Sequence, residues 1–170
     1  MIIWLIGLSG AGKTTLGKEL HHQLHAETRH LLYLDGDEFR EIFRNDVDHT
    51  IEGRRKNAER ISHFCKVLDQ QNIHVIASVL SIFPEWQEWN RKNFSKYFEI
   101  YLKVPINVLA ERDPKDLYQK AQAGEMDNVV GIDIPFPEPL NPDLIIDHIL
   151  QESGIKKTAE FIRDRLPPLD

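Results

Sequence analysis

Residues 7–14 read Gly7-Leu8-Ser9-Gly10-Ala11-Gly12-Lys13-Thr14, and this stretch decides the fold. It satisfies G-x-x-x-x-G-K-[ST] at every fixed position. Directly before it runs Ile2-Ile3-Trp4-Leu5-Ile6, an apolar run of strand length. Directly after it, from Lys13, an amphipathic stretch predicts a helix. Glycines let the loop fold tightly enough to aim several backbone N–H groups at one point. The following helix adds its positive end. In such a loop Lys13 reaches the β- and γ-phosphates, and the Thr14 hydroxyl can ligate Mg²⁺. ATP and Mg²⁺ are therefore expected. The bland alternative, a glycine-rich turn, does not account for the flanking elements.

At 170 residues the chain predicts one domain, residues 1–170, with room for a real core. A formal net charge of −6 argues against nucleic acid as a partner. The single cysteine, Cys65, excludes an intrachain disulfide and fits a reducing, cytoplasmic compartment. The apolar start lacks a basic leader and runs straight into the loop, so it reads as a core strand and not a signal peptide. No apolar run approaches the roughly 20 residues that span a bilayer, so no membrane partner is expected.

Apolar runs recur at residues 2–6, 31–34, 73–77, 98–102 and 144–146. Their near-continuous apolar character predicts strands buried on both faces, as in a parallel sheet. Helices are predicted at 13–25, 51–71, 84–95, 106–112 and 155–165, the last stopped by Pro167-Pro168. The alternation gives an α/β three-layer fold around a central, mainly parallel five-stranded sheet. Residues 113–142 show little periodicity, and their second half is rich in Gly and Pro. Such a segment is often a lid.

Asp35-Gly36-Asp37 falls at the carboxyl end of the second strand, the edge where open α/β sheets bind ligands. Two carboxylates there can hold a metal-bound water or take a proton from an attacking hydroxyl. Asp37 is equally suited to cap the helix that follows. Arg40, about one turn on, suits a second anion or plain solvation. In residues 51–71, Ile61, Phe64, Cys65 and Leu68 make the apolar face, with Arg54 and Asn57 on or beside it. An inward charge is costly unless paired, so these two are expected to line a polar pocket. Arg55, Lys56, Glu59 and Arg60 are expected to face solvent. Leu80 and Ser81 follow the third strand at the same edge, and the serine suits a substrate contact or a turn. His21 and His25 have metal-ligand spacing without a third ligand, and read as a solvated helix face. Cys65, Trp86 and Trp89 read as packing.

The chain resembles the adenylylsulfate (APS) kinases over nearly its full length. The resemblance is carried by residues 7–15, Leu34-Asp35-Gly36-Asp37 with Arg40, Arg54-x-x-Asn57 and Ile76-Ala77-Ser78-x-x-Ser81. Its most specific part is the run Glu111-Arg112-Asp113-Pro114-Lys115, Leu117-Tyr118, Lys120-Ala121, Ala123-Gly124-Glu125, Gly131-Ile132-Asp133 and Pro139-Leu140-Asn141-Pro142. The resemblance implies transfer of the γ-phosphate of MgATP to the ribose 3′-hydroxyl of a 5′-activated nucleotide. It implies that Gly7, Ser9, Gly10, Ala11, Gly12, Lys13, Thr14 and Thr15 bind ATP, with Arg112 in the lid. Thr14 and Asp35 would serve the metal. Asp35 or Asp37 would orient the 3′-hydroxyl, and Lys13 would complete the catalytic set. Asp37, Arg40, His49, Arg54, Asn57, Leu80, Ser81, Lys115 and Val129 would hold the acceptor nucleotide. A homodimer is the assembly common in such proteins.

The departures are informative. The family clamps the acceptor's adenine between two phenylalanines, where this chain aligns His49 and Val129. Base–aromatic stacking contributes roughly 1–3 kcal/mol per base. An arginine usual after the third strand is absent from Ser81-Ile82-Phe83-Pro84, and Gln122 stands where another is usual. The catalytic parts are kept while the acceptor pocket changes. This resembles the cytidine diphosphoramidate kinase branch of capsule-modification pathways, whose smaller pyrimidine needs less of a clamp. Adenylyl sulfate remains the alternative acceptor. A small-metabolite kinase would share the phosphate loop but not the lid motif. A regulatory P-loop module of the guanine-specific kind would carry Asn-Lys-x-Asp, which is absent.

Overall fold

A computed structural model describes residues 1–113, 116–147 and 152–169, with the side chains of 152 and 153 left aside. In chain order the elements are β1 Ile2–Ile6, α1 Lys13–Leu24, β2 Leu31–Asp35, α2 Gly36–Ile42, α3 Ile51–Gln70 and β3 His74–Val79. They continue with α4 Pro84–Asn93, β4 Tyr97–Leu102, α5 Ile106–Arg112, α6 Leu117–Gln122, β5 Leu144–Ile146 and α7 Glu152–Arg163. The sheet order is β2-β3-β1-β4-β5, and every described pairing is parallel. This is the P-loop kinase fold.

The strand period of two sorts each strand between two cores. From β1, Ile3 and Leu5 enter one apolar cluster, while Ile2, Trp4 and Ile6 enter the other. The first cluster takes Leu16, Leu20 and Leu24 of α1 with Ala159 and Ile162 of α7. The second takes Phe39, Ile61, Cys65 and Phe94 from the α2–α4 side. Each buried Leu, Ile or Phe among them contributes about 1.5–3 kcal/mol. Helices therefore cover both faces, and β1 lies between β3 and β4 with its carboxyl end aimed at the crevice where the phosphate loop begins.

Two helices differ from the sequence reading. Glycine at the start of α2 hid a short helix, and its cap is Asp35, whose side chain accepts from the Asp37 N–H, not Asp37. Residues 117–122 form α6 inside the stretch that lacks clear periodicity, because Asp113 accepts from the N–H groups of Leu117, Tyr118 and Gln119 at 2.8–2.9 Å. On α3 the buried face is Asn57, Ile61, Ser62, Cys65 and Asp69, so Phe64 is exposed and packs its ring on Phe39. Arg60 is paired to Asp46 through both nitrogens at 2.7 Å and lies over Phe43. Cys65 is buried in the second core, and burial pushes its thiol up to about 12. Among the described residues no helix is long and apolar enough to cross a membrane.

Candidate active site

The phosphate loop leaves β1 at Gly7 and enters α1 at Lys13. Gly12, the residue before α1, has φ 95°, and Gly10 has φ 77°. These left-handed angles suit glycine and turn successive N–H groups into one concavity. Lys13 Nζ donates to the Leu8 carbonyl at 2.8 Å, so the lysine lies folded over its own loop. Tyr118, buried in the core, donates its hydroxyl to the Ser9 carbonyl at 2.9 Å. Ala11 is buried, whereas Thr14 and Thr15 open on a hollow of about 440 Å³ that Ile155 and Lys156 close from the α7 side.

Asp35 connects this loop to the next strand. Its Oδ2 accepts from Thr14 Oγ1 at 2.8 Å and from the Tyr33 hydroxyl at 3.1 Å. Its Oδ1 accepts from the Asp37 N–H at 2.9 Å. Burial, with the charge of Asp35, pushes the Tyr33 hydroxyl up to about 12, so it stays a donor. A hydroxyl beside a carboxylate is the hard oxygen pair that suits Mg²⁺.

The groups expected to hold an acceptor lie on α2 and around the start of α3. Arg40 is 7 % exposed and donates through one terminal nitrogen to the Val47 and Asp48 carbonyls at 3.0 Å, while its Nε has no protein partner. It is a buried cation, not a solvated one. Arg54 donates to the His49 carbonyl and to the Asn128 carbonyl, both at 2.8 Å. It thus bridges the start of α3 and the segment after α6. Asn57 is 7 % exposed, and its Oδ1 has no protein partner. Burial and the neighbouring Arg40 lower the pKa of Arg54, and burial with Arg40 and Arg54 lowers that of His49. Asp37 acts on Arg40, Arg54 and His49 in the opposite direction. One carboxylate, two guanidiniums and an imidazole therefore share one electrostatic neighbourhood. Arg40 Nε and Asn57 Oδ1 are buried polar atoms without a protein partner, which calls for a water, an ion or a bound group beside them.

The remaining expected residues divide. Ser81 accepts hydrogen bonds from Trp4 and Gln87, and Leu80 beside it is half-buried against the first core. Val129 is 2 % exposed and belongs to the first core, so it does not present a face to a base as a clamp residue would. Its backbone instead closes a turn, with Asp133 accepting from the Asn128 and Val129 N–H groups at 2.5 and 2.6 Å. Arg112 ends α5 on the surface. Lys115 lies outside the described residues. His21 and His25 stack at 5.3 Å between centroids, away from the crevice. Sequence reasoning gave no role to Tyr33, Tyr118 or Trp4. An aromatic with a polar tip inside an otherwise aliphatic strand was the available signal for Tyr33 and Trp4.

The adenylylsulphate kinase family profile matches residues 1–147. A cytidine diphosphoramidate kinase of Campylobacter jejuni is 41% identical over 165 residues, covering 97% of this chain and 95% of that protein. An adenylyl-sulfate kinase of Halothermothrix orenii is 36% identical over 165 residues, covering 96% and 89%. Among solved structures, the APS kinase of Mycobacterium tuberculosis in complex with AMPPNP and APS superposes with a TM-score of 0.83 at 31% identity, covering 96% of this chain and 95% of that one.

Proposed function

Because this chain belongs to the adenylylsulphate kinase family and is an ATP-dependent phosphotransferase, we propose that it phosphorylates the ribose 3′-hydroxyl of a 5′-activated nucleotide, with cytidine diphosphoramidate as the favoured acceptor. The observation that carries the reading is the crevice itself. A phosphate loop precedes α1, and the coupling of Asp37 with Arg40 and Arg54, beside the unpartnered buried oxygen of Asn57, supports a second, acceptor-holding half of the site. His49 in place of a stacking phenylalanine, and Val129 withdrawn into the core, support the smaller base. The identity to the Campylobacter protein supports the same choice. Adenylyl sulfate is the alternative acceptor, supported by the relatives that bear that activity in their names.

In this mechanism the N–H groups of Gly10, Ala11, Gly12 and Lys13 hold the β-phosphate, with Gly7, Ser9 and Thr15 shaping the loop. Lys13 exchanges the Leu8 carbonyl for the β- and γ-phosphates. Mg²⁺, held by Thr14 with Asp35 behind it, would neutralise phosphate charge. Asp35 already accepts from Thr14, Tyr33 and the Asp37 N–H; in this reading Asp37 orients the 3′-hydroxyl. The 3′-oxygen attacks the γ-phosphorus, the bond to the β-phosphate oxygen breaks, ADP leaves, and Asp37 takes the hydroxyl proton. Arg40, Arg54, Asn57, Ser81 and Lys115 grip the acceptor, and Leu80 walls it. Residues 113–142 act as the lid, with Arg112 at its base over ATP, excluding water.

The reading places the protein in the cytoplasm, as a homodimer, in capsule modification. Offering ATP with cytidine diphosphoramidate and with adenylyl sulfate in parallel, and weighing the products by mass spectrometry, tests it. A gain of one phosphoryl group on the cytidine acceptor is expected. No gain on either nucleotide would refute the reading.

A further inference from the structure

Gly17 is buried within α1, where glycine is the least favourable residue after proline. Packing accounts for it. A Cβ on Gly17 would come within 2.6 Å of Tyr33 Cε2 and of Ser78 Oγ, and within 3.1 Å of Leu5 Cδ1. The helix therefore carries a notch, and the edge of the Tyr33 ring occupies it. Tyr33 and Asp35 lie two residues apart on β2, so their side chains leave the same face. From the notch the Tyr33 hydroxyl reaches Asp35 Oδ2 at 3.1 Å, with the Thr14 carbonyl at 3.5 Å. Its one proton goes to the nearer, charged partner. Ser78, buried and opposite Asp35 on β3, donates to the Lys13 carbonyl at 3.1 Å, so the same notch lets the sheet hold the first turn of α1. Thr14 donates its hydroxyl proton to the same Asp35 oxygen at 2.8 Å. A hydroxyl has one proton and two lone pairs. With the proton committed to Asp35, Thr14 has lone pairs to present, which is what a hard cation requires of it.

We infer that Tyr33 is a positioning residue: lodged in the notch at Gly17, it holds the Asp35 carboxylate so that the Thr14 hydroxyl turns its lone pairs toward a nucleotide-bound Mg²⁺. This rests on the phosphoryl-transfer reading above and states which side chains prepare its metal-binding hydroxyl. Without the phenol, the carboxylate is steadied only by the α2 cap and by Thr14 itself. The ring and the hydroxyl have separable work, since the ring fills the notch and the hydroxyl steers the carboxylate.

The test compares wild type with Tyr33→Phe and Gly17→Ala. Tyr33→Phe keeps the ring in its notch and removes only the hydroxyl, whereas Gly17→Ala fills the notch and drives the ring away. Tm is read for the protein alone, with ADP, and with ADP and Mg²⁺. Turnover of ATP with cytidine diphosphoramidate is titrated with Mg²⁺. In Tyr33→Phe the Tm of the protein alone should fall by no more than about 4 °C. The further rise that Mg²⁺ adds to that of ADP should shrink to roughly half or less. The Mg²⁺ concentration for half-maximal turnover should rise roughly tenfold, the loss of one hydrogen bond to a charged group, while the acceptor KM stays at its wild-type value. Gly17→Ala should lose the same metal-dependent rise, with a larger fall in Tm. A ring that only packs would leave the metal-dependent rise and the Mg²⁺ requirement of Tyr33→Phe at wild-type values. That result overturns the inference, even where Gly17→Ala fails to fold. The metal-dependent rise is read without acceptor, so a wild type that phosphorylated neither nucleotide would defeat the assigned reaction, and the Tm comparison would still decide the role of Tyr33.

Discussion

The Thr14 hydroxyl lies 2.8 Å from Asp35 Oδ2 and donates to it. That contact ties the first turn of α1 to the end of β2, and so the triphosphate cradle to the acidic edge of the sheet. Asp35 is committed on its other oxygen as the cap of α2. In the proposed reading the two neighbouring carboxylates have different work: Asp35 ties the loop to the α2 cap, and Asp37 meets the substrate.

This division predicts different phenotypes. Asp37→Asn should lower kcat by roughly 10²- to 10⁴-fold, the usual worth of a general base, with little change in Tm. Asp35→Ala should lose about 0.5–2 kcal/mol through the missing cap, together with turnover. Steady-state kinetics and urea denaturation of both variants check this. Wild-type kcat in Asp37→Asn would assign the proton elsewhere.

Lys13 sits on its own loop at the Leu8 carbonyl and fills no core volume. Lys13→Ala should cut kcat by about 100-fold or more, as removal of a charge stabiliser does, and shift stability by no more than about 0.5 kcal/mol. Kinetics beside thermal melting separates the two effects.

His49 and Val129 should part company. His49→Phe supplies a stacking ring and should raise the preference for adenylyl sulfate over the cytidine acceptor by about five- to 150-fold, the equivalent of roughly 1–3 kcal/mol. Val129 is 2 % exposed in the first core. Val129→Phe should instead cost about 1–3 kcal/mol by overpacking. Competition kinetics reads the first effect and denaturant midpoints the second.

Glu99 gives a pH signature away from the crevice. It is 2 % exposed, and its carboxylate accepts from the Tyr97 hydroxyl at 2.6 Å. Burial, with the like charge of Asp143, holds its pKa above 4.5 against the pull of Tyr97 and Arg91. A carboxyl with a raised folded-state pKa stabilises fully below its unfolded value and loses that contribution as pH rises through the folded one. Glu99→Gln should therefore gain Tm relative to wild type as pH climbs from about 4.5, then hold a constant advantage. Melting curves across pH test the sign.

The phosphate loop, all five strands and five of the helices were legible in the sequence, because apolar runs and the glycine spacing each have one economical structure. The rest was hidden for physical reasons. Asp35 and Asp37 are interchangeable as caps until the backbone decides which oxygen meets which N–H. The α6 helix depends on Asp113 capping three N–H groups, which no apolar period announces. Phe64 fits the expected helical face by spacing, yet α3 is turned so that Ser62 and Asp69 are buried instead. For Arg40 the sequence left a bound anion and plain solvation equally open, and only the fold brings the Val47 and Asp48 carbonyls around it. Lone pairs on Ser81 are filled from Trp4 and Gln87, a pairing that tertiary structure alone creates.

The central claim is that the loop at Gly7–Thr14 delivers its outer phosphorus to one particular sugar oxygen. Supplying the cytidine acceptor in its 2′-deoxy and 3′-deoxy forms, and following ADP release with each, tests this most directly. The account predicts turnover with the 2′-deoxy form and none with the 3′-deoxy form. ADP release of equal rate from the 3′-deoxy form would contradict it.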